Sequence, residues 1–223
     1  MKNILSIFSG ILFMAILLLT ACDKKETDEV SQIVKVSFPV IKLKGEPVVS
    51  VGVGAGQYSD AGATAFDSTN NQSSNLTAVS NNVDLTKPGF YSVKYEAKNQ
   101  FGYVSTETRL VLVTTVADNV DLSGKYARNT NGVVLTVKKV GRGLYTIDNV
   151  GGVPVSDANQ PFIIPVFMGH VSDNQIVIPP QPSKGGEISC DNATLRLTPP
   201  PAQFSYIVRN ASFGTALRTF VKQ

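Results

Sequence analysis

From Ile33 onward, no stretch of the chain keeps the three-to-four-residue apolar spacing of a long amphipathic helix. What recurs instead is short alternation, punctuated by Gly, Asn, Asp and Pro. The clearest run is Gly89–Lys98, GFYSVKYEAK, in which Tyr91, Val93, Tyr95 and Ala97 fall on one face and Ser92, Lys94 and Glu96 on the other. After Asn99-Gln100-Phe101-Gly102 comes YVSTETRLVLVTTV, a run rich in β-branched residues, so the two read as a hairpin. The pattern commits the chain to an all-β fold.

The polar, turn-forming stretch ADNVDLSGKY divides this β sequence in two. Residues 33–117 read as one domain and 118–223 as a second. In the second, Val133–Val137 and Leu144–Ile147 flank Gly141-Arg142-Gly143, a strong hairpin signal. Further strands are expected at NQIVIP, ATLRL, QFSYIVRN and TALRTFVKQ. Short turns without crossover helices imply an antiparallel sandwich or small barrel.

The N-terminal segment follows a different logic. Lys2 precedes an apolar stretch from Ile4 to Leu19, and the small residues Thr20 and Ala21 precede Cys22. The apolar stretch is short for a bilayer span. Leu19-Thr20-Ala21-Cys22 resembles the lipobox of bacterial lipoproteins. That resemblance implies cleavage after residue 21, acylation of Cys22 and anchoring to a lipid bilayer. Each buried CH₂ contributes roughly 0.8 kcal/mol, so two or more chains hold firmly. Asp23, Glu26, Asp28 and Glu29 make residues 22–32 an acidic tether that buries nothing. Acid-rich, lysine-containing tethers of this kind resemble surface-export signals of gut-type Gram-negative lipoproteins, which implies an outer-membrane location facing the cell exterior.

The first domain also carries a signature. Tyr58, Asp60, Gly62 and Ala63 are followed by Asn82, Val83, Asp84, Pro88, Gly89, Tyr91, Val93 and Tyr95. These pieces, in this order, resemble the bacterial immunoglobulin-like module of crystal toxins and many surface proteins. The resemblance covers about Val36 to Val116. The hairpin departs from the family pattern, with Asn99 for an aspartate and Tyr103 for an asparagine. It implies an immunoglobulin-like β-sandwich serving as spacer or adhesion module, and no enzyme. In the second domain, SGKYAR, GLYTIDNVGG and RNASFGTALRTFVKQ resemble the C-terminal domain of two-domain lipoproteins that accompany SusC/SusD-type glycan-uptake systems. That domain has no assigned activity, so the resemblance implies a nutrient-capture context and SusC/SusD-type partners, without a mechanism.

Candidate chemistry is sparse. The net charge of +3 comes from interspersed bases and acids, with no basic run to track a phosphate backbone, so nucleic acid is not an expected partner. Of the two cysteines, Cys190 is left without a partner if Cys22 is acylated, and reads as a small buried hydrophobe. His170 is the only histidine and has no second ligand at metal spacing. Asp60, Asp67 and Asp84 are loop carboxylates of the kind calcium uses, but their spacing fits no calcium loop, and turn aspartates ordinarily bond their own backbone. The acids of the second domain, Asp148, Asp157, Asp173, Glu187 and Asp191, fall in or beside turns, and no glycosidase pair stands out. No catalytic residue, metal site or cofactor is therefore expected.

Glycan binding is the sharper expectation. Sugars stack apolar C–H faces on aromatic rings and bond their hydroxyls to amides and carboxylates. The chain has no Trp. The candidate ligand residues are Tyr126, Tyr145, Phe162, Phe167 and Tyr206, with 151–174 as a candidate binding loop on a rigid scaffold. The alternative is a structural spacer or assembly subunit that docks onto an outer-membrane transporter and binds no glycan itself.

Overall fold

The alternation in Gly89–Lys98 produces the strand it predicts. Val93, Tyr95 and Ala97 are buried while Lys94, Glu96 and Lys98 are exposed. The protein is described here by a computed structural model covering residues 36–223; the leader, Cys22 and the acidic tether lie outside the described residues.

The first part of the chain forms β1 (Val40–Leu43), β2 (Val48–Gly52), β3 (Ala63–Asp67), β4 (Gln72–Leu76), β5 (Ser80–Asn81), β6 (Gly89–Lys98) and β7 (Val104–Thr114). They make two sheets, one in the order β1-β3-β4 and the other β2-β7-β6-β5. All pairs are antiparallel except β2 with β7. Ala63, Val93, Tyr95 and Val111 form the core between them. Gly62 adopts a left-handed backbone, with φ +86°, immediately before β3.

The second part forms β8 (Gly124–Arg128), β9 (Val134–Gly141), β10 (Leu144–Ile147), a 3-10 turn (Asp157–Phe162), β11 (Val166–Ser172), β12 (Gln175–Val177), β13 (Gln181–Ser183), β14 (Gly186–Arg196), β15 (Gln203–Arg209) and β16 (Leu217–Lys222). These strands make one nine-stranded sheet in the order β12-β11-β10-β9-β8-β16-β15-β14-β13. The sheet curls until its β12 end reaches β14. The Cys190 amide donates to the Ile178 carbonyl at 3.2 Å, and the Leu195 amide to the Asn174 carbonyl at 3.2 Å. Of the two expected arrangements, sandwich or small barrel, the sheet is the barrel-like one. Its concave face is packed with Tyr126, Leu135, Tyr145, Met168, Phe204, Tyr206 and Phe220.

Two expectations need correction. The stretch 151–174 is not one long binding loop, because from Val166 it enters β11, whose Val166 and Met168 face the core. Asp191 lies within β14, away from any turn, beside a bulge between Asp191 and Thr194 where Asn192 takes φ +52°; Glu187, in the same strand, does stand beside the Lys184–Gly185 turn.

The sandwich and the curled sheet share a further apolar cluster. Val48, Leu112, Leu144 and Val171 are buried together, with Phe90, Leu110, Phe167 and Val177 packed against them. Ser37–Gln223 accordingly forms one compact unit. The hydroxyl of Thr114 donates to the His170 carbonyl at 2.7 Å, and the Thr115 amide donates to the Val171 carbonyl at 3.1 Å. Gly169 permits the approach, since a Cβ there would sit 2.5 Å from the Phe90 ring. This junction explains the composition of β7. Val111 faces the sandwich core while Leu112 faces the curled sheet, and a strand buried on both faces reads as an unbroken apolar run.

Candidate functional site

The junction is incomplete at one side, and the gap is a cleft. β2 pairs with β7 only from Leu110 to Thr114, so Thr106–Thr108 has no strand partner on that side. Across from it stand β13 and the start of β14. Between them lies a cleft of about 790 Å³. Its sandwich wall is Pro47, Val48, Thr106, Glu107, Thr108 and Leu110; its opposite wall includes Phe167, Pro180, Pro182, Ser183 and Glu187. The amide of Thr108 meets only the Glu107 carboxylate, at 3.4 Å. The cleft therefore combines an apolar floor with a rim of hydroxyls, carboxylates and open backbone.

Gln181 fixes the position of Phe167. Its side-chain oxygen accepts from the Phe167 amide at 2.8 Å, and its side-chain nitrogen donates to the carbonyls of Phe167 at 3.1 Å and Pro179 at 3.2 Å. Prolines on both sides of Gln181 supply no amide donors, and its side chain bonds Phe167 much as a neighbouring strand would. Sequence reasoning missed Gln181. The available signal was a glutamine between prolines in PPQPS, beside a strand.

The five candidate aromatics separate sharply. Tyr126, Tyr145 and Tyr206 are fully buried and are core residues, not a ligand platform. Their hydroxyls are spent on backbone carbonyls: Tyr126 donates to Leu122 at 2.8 Å, Tyr145 to Val120 at 3.1 Å and Tyr206 to Val150 at 2.9 Å. Burial pushes the Tyr126 phenol up to about 12 and raises the other two. Phe162 ends the 3-10 turn half-buried, edge-on to Phe213 at 6.5 Å. Phe167 alone of the five lines the cleft.

The other singled-out side chains have structural partners. Asp60 pairs with buried Arg109 at 3.4 Å. Burial works to raise its carboxyl, but hydrogen bonds from the Tyr95 hydroxyl, the Gly62 amide and the Tyr58 hydroxyl, with the charge of Arg109, outweigh that and lower it. Arg109 also donates to the carbonyls of Lys44 and Gly62. Asp67 and Asp84 each accept from the amide and hydroxyl two residues on, Thr69 and Thr86. Among the described residues no three His, Cys, Asp or Glu side chains converge as a metal site. Burial pushes the Cys190 thiol up to about 12, so little thiolate forms at neutral pH. His170 is buried, with Nε2 placed 3.1 Å from the Asp173 carbonyl, and burial lowers its pKa.

Comparison with known proteins bears on the first part of the chain. Residues 41–113 match the family model of the Ig-like domain of bacterial surface proteins. The chain thus carries an immunoglobulin-like domain of bacterial-surface type, followed by the curled sheet. A crystal structure of a lipoprotein from Bacteroides thetaiotaomicron is similar at 21% identity over 83% of this chain and 100% of that one, with a TM-score of 0.37. No curated protein matches the chain. No described helix is long and apolar enough to cross a membrane.

Proposed function

We propose that this is an outer-membrane lipoprotein, acylated at Cys22 and displayed at the cell exterior, that captures glycans without catalysis in the cleft beside Phe167. The observation that carries the binding part is the make-up of that cleft. Phe167 offers a half-buried ring held in place by Gln181, and Glu107, Thr108, Ser183 and Glu187 surround it with hydroxyl-bonding groups. An extended, polar, partly apolar-faced chain such as a polysaccharide fits this mixture. A uniformly apolar ligand would leave the carboxylates unpaired. The sequence of the leader supports the anchor, and the immunoglobulin-like domain supports a surface setting. In this reading SusC/SusD-type transporter proteins are the partners that take the captured glycan onward.

The test is affinity electrophoresis and a glycan array, run with the soluble protein beginning after Thr27. A polysaccharide that retards the protein should bind Phe167→Ala roughly tenfold more weakly, the loss typical of removing a central aromatic anchor. Glu187→Gln should weaken it less. Retention of full affinity by Phe167→Ala moves binding away from this cleft. Retardation by no polysaccharide, together with co-purification of a transporter, replaces capture with the spacer role. Turnover of any sugar overturns both.

A further inference from the structure

At one end of the sandwich, large apolar side chains face water. Phe38 is 53% exposed, Val40 64%, Phe66 40%, Phe101 66% and Val104 41%. All five gather at the same end of the sandwich, Val40 and Phe66 on the outer face of one sheet and Val104 on that of the other. Phe38 packs on Tyr103 with ring centroids 5.2 Å apart. Val40 lies directly opposite Phe66 in the β1–β3 ladder. The Asn99 side chain ties the hairpin bearing Phe101 to the Ser37 carbonyl, and the Ser105 hydroxyl ties β7 to the Pro39 carbonyl.

The patch ends abruptly. Two residues further along β1 and β3, the same outer face carries Lys42 and Thr64, and β4 exposes Gln72, Ser73, Ser74 and Asn75. Lys98 stands opposite Val104 in the β6–β7 ladder and is exposed. The carboxylate of Asp67, beside Phe66, is turned to the amide and hydroxyl of Thr69. The arrangement is an apolar tip with a lysine-bearing margin. Long Lys side chains at such a margin keep their charge in water while their stems cover apolar surface.

Chain connectivity says what meets this tip. It surrounds the point where the chain joins the sandwich, at Ser37, and that point is separated from Cys22 by at most about 50 Å of fully extended chain. A tether of that reach holds the patch near the bilayer at an effective concentration of order millimolar, so even weak interfacial affinity suffices. We infer that the Phe38–Phe101 tip of the sandwich inserts into the bilayer interface and seats the protein on the membrane that its acyl chains anchor. This rests on acylation of Cys22. The seat and the anchor are separate contacts and fail separately.

The absence of Trp makes a clean probe available. The acylated full-length protein carrying Phe101→Trp is reconstituted into phosphatidylethanolamine–phosphatidylglycerol vesicles, with and without brominated acyl chains. The reference is Val155→Trp, at a position 77% exposed in the second part of the chain. Expected are a blue shift of emission and quenching by brominated lipid for Phe101→Trp, and neither for Val155→Trp. A Phe101→Trp protein that floats with the vesicles while its indole keeps a water-like, unquenched spectrum leaves the anchor standing and overturns the seat. A protein that does not float overturns the anchor and, with it, the seat. Phe38→Ser combined with Phe101→Ser removes the tip without touching the core. If that pair abolishes dimers of the soluble form in sedimentation, the tip belongs to a second copy and the inference falls.

Discussion

The sandwich and the curled sheet are both antiparallel for the most part, yet they are held together by different forces. In the sandwich, half-buried Asp60, paired with buried Arg109 and bonded by Tyr58 and Tyr95, pins the Gly54–Gly62 connection over a small core. In the curled sheet, rings do that work. Phe204 lies 4.8 Å from Tyr126, 5.8 Å from Tyr206 and 5.4 Å from Phe220, and each tyrosine hydroxyl nearby bonds a backbone carbonyl. Asp60 thus adds an ionic, pH-sensitive contribution to the first, whereas the ring cluster of the second contributes through volume. A ring can be essential to a domain's packing without ever meeting a ligand, which is why Tyr126, Tyr145 and Tyr206 mislead a reading based on residue type.

The largest effect that tests this contrast is Phe204→Ala. The side chain is 1% exposed at the centre of the ring cluster, and removing it should cost about 4 kcal/mol through lost burial and a residual cavity. Urea unfolding measures the loss, and hydrogen exchange locates it. The expected pattern is faster exchange across β8, β15 and β16, with the β6 amides of the sandwich less affected. Uniform loosening of both parts would show that the junction, and not the two separate cores, sets stability.

Asp60→Ala should cost somewhat less, about 3 kcal/mol, because it strands a buried guanidinium that keeps only two carbonyl partners. Its signature is in acid. The folded carboxyl sits below its ordinary value, so its contribution is present at neutral pH and is lost as pH falls through that lowered value. Acid titration of stability should therefore be flatter for Asp60→Ala than for the native chain, while Phe204→Ala keeps the native slope. Parallel slopes for all three proteins would mean that Asp60 is not what makes the sandwich acid-sensitive.

Much of this architecture could be read from the chain, and the exceptions have physical causes. The period of two in Gly89–Lys98 fixes both a strand and its inward face, and Gly141-Arg142-Gly143 marks a true hairpin, with Gly143 at φ +62°. In QFSYIVRN the same period already sets Phe204, Tyr206 and Val208 on one face; what it leaves open is whether that face looks inward or at a ligand. The RLVLV run of β7, legible only as one strand of a hairpin, is buried on both faces, against the sandwich core and against the curled sheet. The cleft was not legible at all. Pro47, Thr106–Thr108, Phe167 and Glu187 come from four distant segments, and only the closure of the curled sheet against β7 brings them together.

The smallest expected effect lies at the junction between the two parts. His170 is 1% exposed, its carbonyl accepts from Thr114, and its Nδ1 has no partner among the described residues. Burial disfavours the imidazolium and outweighs the Asp173 carbonyl bond and charge, so the folded-state pKa lies below the ordinary value of 6.5. The neutral ring is thus the stable one in the fold. As pH falls below 6.5 the unfolded chain takes up a proton that the folded one refuses, and stability declines until the folded pKa is passed. His170→Gln, which keeps a polar side chain but cannot titrate, should remove the decline that sets in below pH 6.5 while leaving the acid loss due to Asp60. Hydrogen exchange at Thr115, whose amide bridges to Val171, reads the junction directly. An unchanged pH slope in the variant would take His170 out of the coupling between sandwich and curled sheet.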